Sequence, residues 1–271
     1  EDILGNRATM AKVLIKELQS YKKQYAVPRK TLIDNLEEAV VEEKRIEEMD
    51  VVFLMDRFGY AKTVDVSVYE RNKEAADTEN RYILTCKNTD KICIFTNKGQ
   101  MHLLKVLDLP YGKFRDKGIP IDNLSNYNSS EENFIYIINL GAIIHSRLLF
   151  GTKTAMLKMV DGSEFDVAKR TTASTKLNED DELLIVHAMT GEETVVMQSE
   201  KEMFLRIEAS TIPEKKKGAV GVRGMKLNAG DALSNIYVLD GESEQTVEVK
   251  GKEVVLNRLR VGNRDTKGTK R

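Results

Sequence analysis

The sequence predicts an all-β fold, a propeller-like ring of about five four-stranded blades preceded by a short α-helical segment. Three observations predict it. The spacing of apolar residues changes at Asp50 from helical and acid-rich to pairs of short β-prone runs; one hairpin phrase then returns at intervals of roughly 40–55 residues; and a second phrase, basic and glycine-containing, lies between the hairpins. A unit of one hairpin plus one or two further strands cannot bury its apolar face alone. Neighbouring units must stack, and a closed or nearly closed stack is a propeller-like ring.

The first element is a helix from Arg7 to Tyr25, where Met10, Val13, Leu14, Leu18 and Tyr21 recur at spacings of three and four opposite Lys12, Lys16, Glu17 and Lys22. Pro28 stops it. Residues 1–34 form this helical segment. Residues 35–50, with Glu37, Glu38, Glu42, Glu43, Glu47 and Glu48, form an acidic linker or the entry to the first blade, and 51–271 form the ring. Because the chain opens on Glu-Asp rather than Met, it reads as a segment of a longer protein.

The hairpin phrase runs from Val51 to Val64, Ile92 to Val106, Leu148 to Val160, Val195 to Ile207 and Thr246 to Leu259. Each copy is an apolar strand, a polar or glycine turn and a second strand. The intervening phrase is Lys113-Phe-Arg-Asp-Lys-Gly-Ile-Pro-Ile, then Lys215-Lys-Lys-Gly-Ala-Val-Gly-Val-Arg, with Arg264-Asp-Thr-Lys-Gly opening another.

Composition suits a globular protein, with 41% hydrophobic and 31% charged residues, but 42 Lys+Arg against 43 Asp+Glu leave a net charge of −1 and no global positive field. Any anion-binding surface must be local. Cys86 and Cys93 are too few for a disulfide framework and fit a reduced, cytoplasmic setting. The apolar runs at 51–55 and 134–144 are too short to span a bilayer. His102, His145 and His187 stand far apart with no ligand-like spacing, so no metal site is read. Neither a nucleophile elbow nor a phosphate loop nor a dinucleotide fingerprint occurs. Asp180-Asp181-Glu182 and Glu192-Glu193 fall at turns, where acids are solvated, and no catalytic residue is assigned.

The repeat does organise positive charge. A basic residue follows each turn, namely Lys62, Lys105, Lys158, Arg206 and Arg258, and a ring would set these along one rim. The loops add Lys113, Arg115, Lys117, Lys169, Arg170, Lys215, Lys216, Lys217, Arg223, Lys226, Arg264 and Lys267, beside glycines that let a phosphate approach backbone N–H groups. Together they form a candidate non-specific track for a duplex backbone. Read singly, a Lys or Arg after a turn is a solvated strand end; the recurrence carries the reading.

Gly221-Val-Arg-Gly-Met-Lys-Leu-Asn-Ala-Gly-Asp, Gly118-Ile-Pro-Ile-Asp-Asn-Leu, and Phe58-Gly-Tyr-Ala-Lys-Thr with Tyr69-Glu-Arg resemble the C-terminal domain of the A subunits of bacterial type IIA topoisomerases, the DNA gyrase A and topoisomerase IV A family. The resemblance runs from about residue 7 to 271. It implies a β-pinwheel, in which neighbouring blades exchange a strand and a basic perimeter binds and bends double-stranded DNA. It also implies an upstream cleavage-reunion domain, a partner that is the ATPase B subunit, ATP and magnesium in the holoenzyme, and a cytoplasmic, nucleoid-associated location. The Gln-Arg-Arg-Gly-Gly-rich box that gyrase A carries after the first blade's Tyr-Glu is replaced here by Arg71-Asn-Lys-Glu-Ala-Ala-Asp-Thr-Glu-Asn, which implies weak wrapping. The competing reading is a propeller-type protein-interaction module without DNA binding. Its Trp-Asp signature is absent, since the chain has no Trp.

Overall fold

The computed structural model describes residues 5–28, 30, 31 and 46–271. It divides into two units, 1–45 and 46–271. In the first, α1 (Arg7–Tyr25) begins where the Asn6 side chain accepts from the Ala8 N–H at 3.0 Å and ends at an extended Ala26, two residues before Pro28. Its apolar face is exposed, Leu18 at 66%. Residues 35–45 of the acidic stretch lie outside the described residues.

The second unit holds five hairpins in chain order: β1–β2 (Asp50–Asp56, Tyr60–Asp65), β4–β5 (Lys91–Thr96, Gln100–Lys105), β8–β9 (Arg147–Thr152, Met156–Asp161), β12–β13 (Thr194–Ser199, Met203–Glu208) and β16–β17 (Thr246–Val249, Lys252–Val255). A residue in the left-handed region closes each turn, in order Gly59, Gly99, Ala155, Glu202 and Gly251. Against the first strand of each of the first four hairpins pairs that repeat's own third strand: β3 (Asn80–Lys87), β7 (Phe134–Asn139), β11 (Leu183–Met189) and β15 (Leu233–Leu239).

The fourth strand comes from the following repeat. β6 (Ile119–Pro120), β10 (Thr171–Ala173), β14 (Val222–Arg223) and β18 (Thr269–Lys270) each leave their own hairpin and pair with the second strand of the one before. This is the strand exchange of a pinwheel. Four repeats are complete four-stranded sheets; the fifth is the two-stranded hairpin β16–β17 alone, which refines the expected five four-stranded blades.

Alternation explains the stacking, because both faces of the first strand are buried in each of the four complete sheets. Val51, Phe53 and Met55 pack on Ile92 and Ile94 of the next repeat; Cys93 and Phe95 turn the other way, onto Leu148 and Phe150 of the third. Leu149 then meets Val195 and Met197, and Val196 meets Val249. Each of these four cores is thus shared by two repeats, the nearest-neighbour packing of stacked repeat folds. Among the described residues no blade precedes the first, and its Val52, Leu54 and Val64 are covered instead by α2 (Val66–Arg71) and α3 (Lys73–Glu79), through Val68, Tyr69 and Ala76. At the other end the hairpin β16–β17 presents a cross-strand Glu248–Glu253 pair, both exposed, on its outward face.

Candidate nucleic-acid interface

Neighbouring third strands approach one another, β3 to β7, β7 to β11 and β11 to β15, and so line the inner side of the stack. The exchanged strands form the opposite, outer edge of each sheet. The crossovers that deliver them (106–118, 162–170, 209–221 and 256–268) therefore run along the outside, and they carry most of the basic residues the sequence singles out.

Lys113, Arg115 and Lys117 are exposed on the first crossover, with the Lys117 ammonium 4.7 Å from the Tyr60 ring centroid. Lys169 and Arg170 are exposed on the second, Arg170 standing 4.0 Å from Asp108. On the third, Lys215 is half-buried, Lys216 lies 3.5 Å from Glu164, and Lys217 donates from its backbone and side chain to the same glutamate. Arg223 pairs with Asp265 at 3.3 Å, and Arg264 donates to the Arg223 carbonyl at 3.0 Å. Lys105, Lys226 and Lys267 are exposed, and Arg258 pairs with Glu244 at 3.2 Å. Among the described residues, Lys105, Lys113, Arg115, Lys117, Lys169, Lys226 and Lys267 have no carboxylate within ion-pair distance.

Three of the five hairpin cations do something else. Lys158 is 1% exposed, and its ammonium donates to the Lys217 and Ala219 carbonyls at 2.7 and 2.8 Å and to that of Lys216 at 3.3 Å. Burial pulls its pKa down to about 8. Lys62 likewise donates to the Phe114 and Asp116 carbonyls, and burial lowers its pKa too. Arg206 bonds the Asn257 and Leu259 carbonyls and Thr194 Oγ1. Each of these side chains holds the crossover of the next repeat against its own sheet. The expectation that hairpin cations line a rim is thus corrected: Lys62, Lys158 and Arg206 are latches, and a buried ammonium held by three carbonyls cannot reach a phosphate.

Alignment on the turn shows why the sequence reading merged two classes. Three residues after the left-handed turn residue stand Lys62, His102, Lys158 and Leu205, whereas Lys105 and Arg258 lie farther along. In the second blade the latch is therefore His102, 3% exposed, with Nε2 2.8 Å from Glu132 Oε1 and Nδ1 3.0 Å from Thr171 Oγ1 on the exchanged strand. No spacing motif marks His102 in the sequence, although counting from the turn glycine Gly99 places it.

Of the acids assigned to solvated turns, Asp180 and Glu192 are exposed, whereas Asp181, Glu182 and Glu193 are structural. Asp181 is buried and accepts from the Thr154 N–H and hydroxyl, while Glu182 joins Lys153 and Lys98 across two repeats, which hold its carboxyl down at about 2. Burial raises the pKa of Glu193, but bonds from Thr190 and Gly191 outweigh it and hold the carboxyl near 2. No described helix is long and apolar enough to cross a membrane.

The model of the DNA gyrase C-terminal domain, a β-propeller, matches residues 146–187 and 193–240, which are the third and fourth repeats up to their third strands. The DNA gyrase A protein of Lawsonia intracellularis is 28% identical over 99% of the chain, and that of Staphylococcus epidermidis (ATCC 12228) 29% over all of it. The chain spans about a third of those relatives' length, 35% and 32%. A topoisomerase IV C-terminal domain superposes with a TM-score of 0.73 at 22% identity, covering 83% of this chain and 73% of its own. The E. coli ParC C-terminal domain gives 0.66 at 15%, covering 82% and 94%. In fold the chain resembles the C-terminal domains of topoisomerase IV and ParC, and along its sequence it resembles the C-terminal part of DNA gyrase A proteins, whose domain model its third and fourth repeats match.

Proposed function

We propose that the chain is the non-catalytic, DNA-binding and DNA-bending domain of an ATP-dependent type IIA topoisomerase. In this reading residues 1–34 lead in from the cleavage core, 35–50 link, and 51–271 engage double-stranded DNA. The observation that carries it is the segregation of crossover cations to the outer edge of the stack, in a chain whose formal net charge is only −1. Such an edge suits a duplex backbone, where phosphate neutralisation and counterion release supply affinity without sequence readout.

Wrapping is weak. The segment that stands in place of a glycine-rich box is folded into α2 and α3, with Ala76 buried against the first blade. It packs as a cover and adds no cationic loop. Cleavage, magnesium and ATP turnover belong to the holoenzyme, through the upstream cleavage-reunion domain and the ATPase B subunit, in the cytoplasm on the nucleoid.

Electrophoretic shifts on duplex DNA across a salt series test this. Reversing the exposed Lys169, Lys226 and Lys267 to Glu is expected to weaken binding and to flatten the log–log salt dependence by up to about three. Thermal stability should stay near wild type, since exposed charges contribute little to folding. Absence of a shift at the lowest salt would leave the protein-interaction module as the better reading.

A further inference from the structure

On the first blade, where α2 and α3 stand in place of a crossover, two adjoining hollows of about 680 and 510 Å³ share Asp56, Glu79 and Asn80. Both fall within the ~300–1,000 Å³ range of binding clefts. Phe58 is 72% exposed at the tip of the β1–β2 turn, on a rigid mount: Asp56 Oδ1 accepts from the Phe58 and Tyr60 N–H groups at 2.8 and 2.9 Å, and Gly59 has φ +85°. The turns of the other four hairpins carry Lys98, Thr154, Lys201 and Lys250, with no aromatic residue.

Around Phe58 and Tyr60 stand Arg57, Arg81, Arg115 and Lys117. Among the described residues none of these four is paired with a carboxylate. Two of the local acids are committed inside the protein, Asp56 to its turn and Asp116 to the Lys113 N–H at 2.7 Å. The Arg57 guanidinium lies 5.1 Å from the Phe58 centroid, on one face of the ring.

We propose that this groove binds single-stranded nucleic acid, with a base stacked on Phe58 and the flanking phosphates held by Arg57, Arg81, Arg115 and Lys117. Aromatic platforms set among cations are what an unpaired strand uses, whereas a closed duplex cannot offer a base face to a hairpin tip. An acidic peptide would use the cations and leave the exposed ring without a partner. The inference rests on the nucleic-acid reading of the chain and differs from it in strand state: the cations of the later crossovers take duplex, and the first-blade groove, which includes Arg115 and Lys117 of the first crossover, takes unpaired strand.

The chain has no Trp, so Phe58→Trp places a single indole at the tip. Titration with a ten-nucleotide oligo(dT) is expected to quench it, and poly-glutamate is expected to leave it unchanged. Phe58→Ala should weaken oligo(dT) binding at least about fivefold, with duplex affinity kept, and Arg81→Gln should act in the same sense. Both sites are exposed, so wild-type melting temperatures are expected in each variant. Quenching by poly-glutamate alone would make the groove a peptide site. Absent quenching by oligo(dT), or equal losses on duplex and single strand, would overturn the proposal while a wild-type duplex shift still upheld the wider reading.

Discussion

The third repeat reaches back to its predecessor differently from the second, fourth and fifth. Crossovers 106–118, 209–221 and 256–268 are equal in length, whereas 162–170 is four residues shorter. In the long ones the residue before the exchanged strand is Gly118, Gly221 or Gly268, pressed onto the preceding blade: a Cβ there would lie 2.6 Å from the Ala61 carbonyl oxygen, 2.6 Å from that of Leu157 and 2.8 Å from that of Phe204. In the short one that place is Arg170, and the glycine has moved to the start. Gly162 donates to the Ser146 carbonyl at 2.8 Å, as Val106, Ala209 and Leu256 donate to Asp90, Glu193 and Gln245. Where those three bury a side chain, α4 (Leu140–Ile143) fills the space, and a Cβ on Gly162 would lie 1.7 Å from the Ile143 carbonyl oxygen. Glycine thus follows the tightest backbone approach, wherever the chain path puts it.

The largest effect is therefore expected at Gly162→Ala, at least about 4 kcal/mol, since backbone on both sides must move. Gly221→Ala should cost less, about 2–3 kcal/mol, because the long crossover can shift. Urea midpoints at constant m-value decide it. A Gly162→Ala loss below about 1 kcal/mol, or a greater loss at Gly221, would remove the distinction between the two paths.

The latches differ in the same way. In the second blade, which receives the short crossover, an imidazole bonds side chains; in the first and third, ammonium groups bond carbonyls. His102→Leu strips the buried Glu132 of its ring partner and should cost about 3 kcal/mol. Glu132→Gln in that background should recover part of the loss, as a double-mutant cycle would show. Simple additivity of the two substitutions would mean that the pair is not a latch.

Repeat count, hairpin positions and the helix at 7–25 were legible because period-2 and period-3.6 patterns survive without tertiary context. The strand exchange came with the family resemblance, since four two- or three-residue strands are too short to show a period. Lys158 was misread for a physical reason: an ammonium among main-chain carbonyls leaves no mark in side-chain types, and its partners lie 58 to 61 residues away. Likewise 66–79 carries no crossover phrase, and what it covers, the face of Val52 and Leu54, follows only from the absence, among the described residues, of a blade before the first.

The carbonyl latch has a pH signature. Lys158 sits at about 8 in the folded protein against 10.5 ordinarily, so between those values the unfolded chain holds a proton that the folded chain has released. Stability should accordingly rise with pH across that window, by at most about 3 kcal/mol. Other groups titrate there as well, so the measurement is the difference between wild type and Lys158→Met from about pH 7.5 to about 10.5. The variant should lack this part of the rise. Parallel curves would show that the ammonium is not desolvated at the crossover.

The smallest effect is expected at Arg170→Gly, which gives the short crossover the residue its longer counterparts carry. The Arg170 side chain is 62% exposed, and the contribution of its backbone is a carbonyl accepting from the Leu103 N–H at 2.7 Å, which glycine keeps. The cost should be the extra entropy of an unfolded glycine, about 0.5–1 kcal/mol. If the short crossover were free to adopt the long path, glycine would relieve a constraint and the variant would be more stable than wild type. A midpoint above wild type would thus show that Arg170 fixes the path; a small loss places the constraint at Gly162, where α4 leaves no room for a side chain.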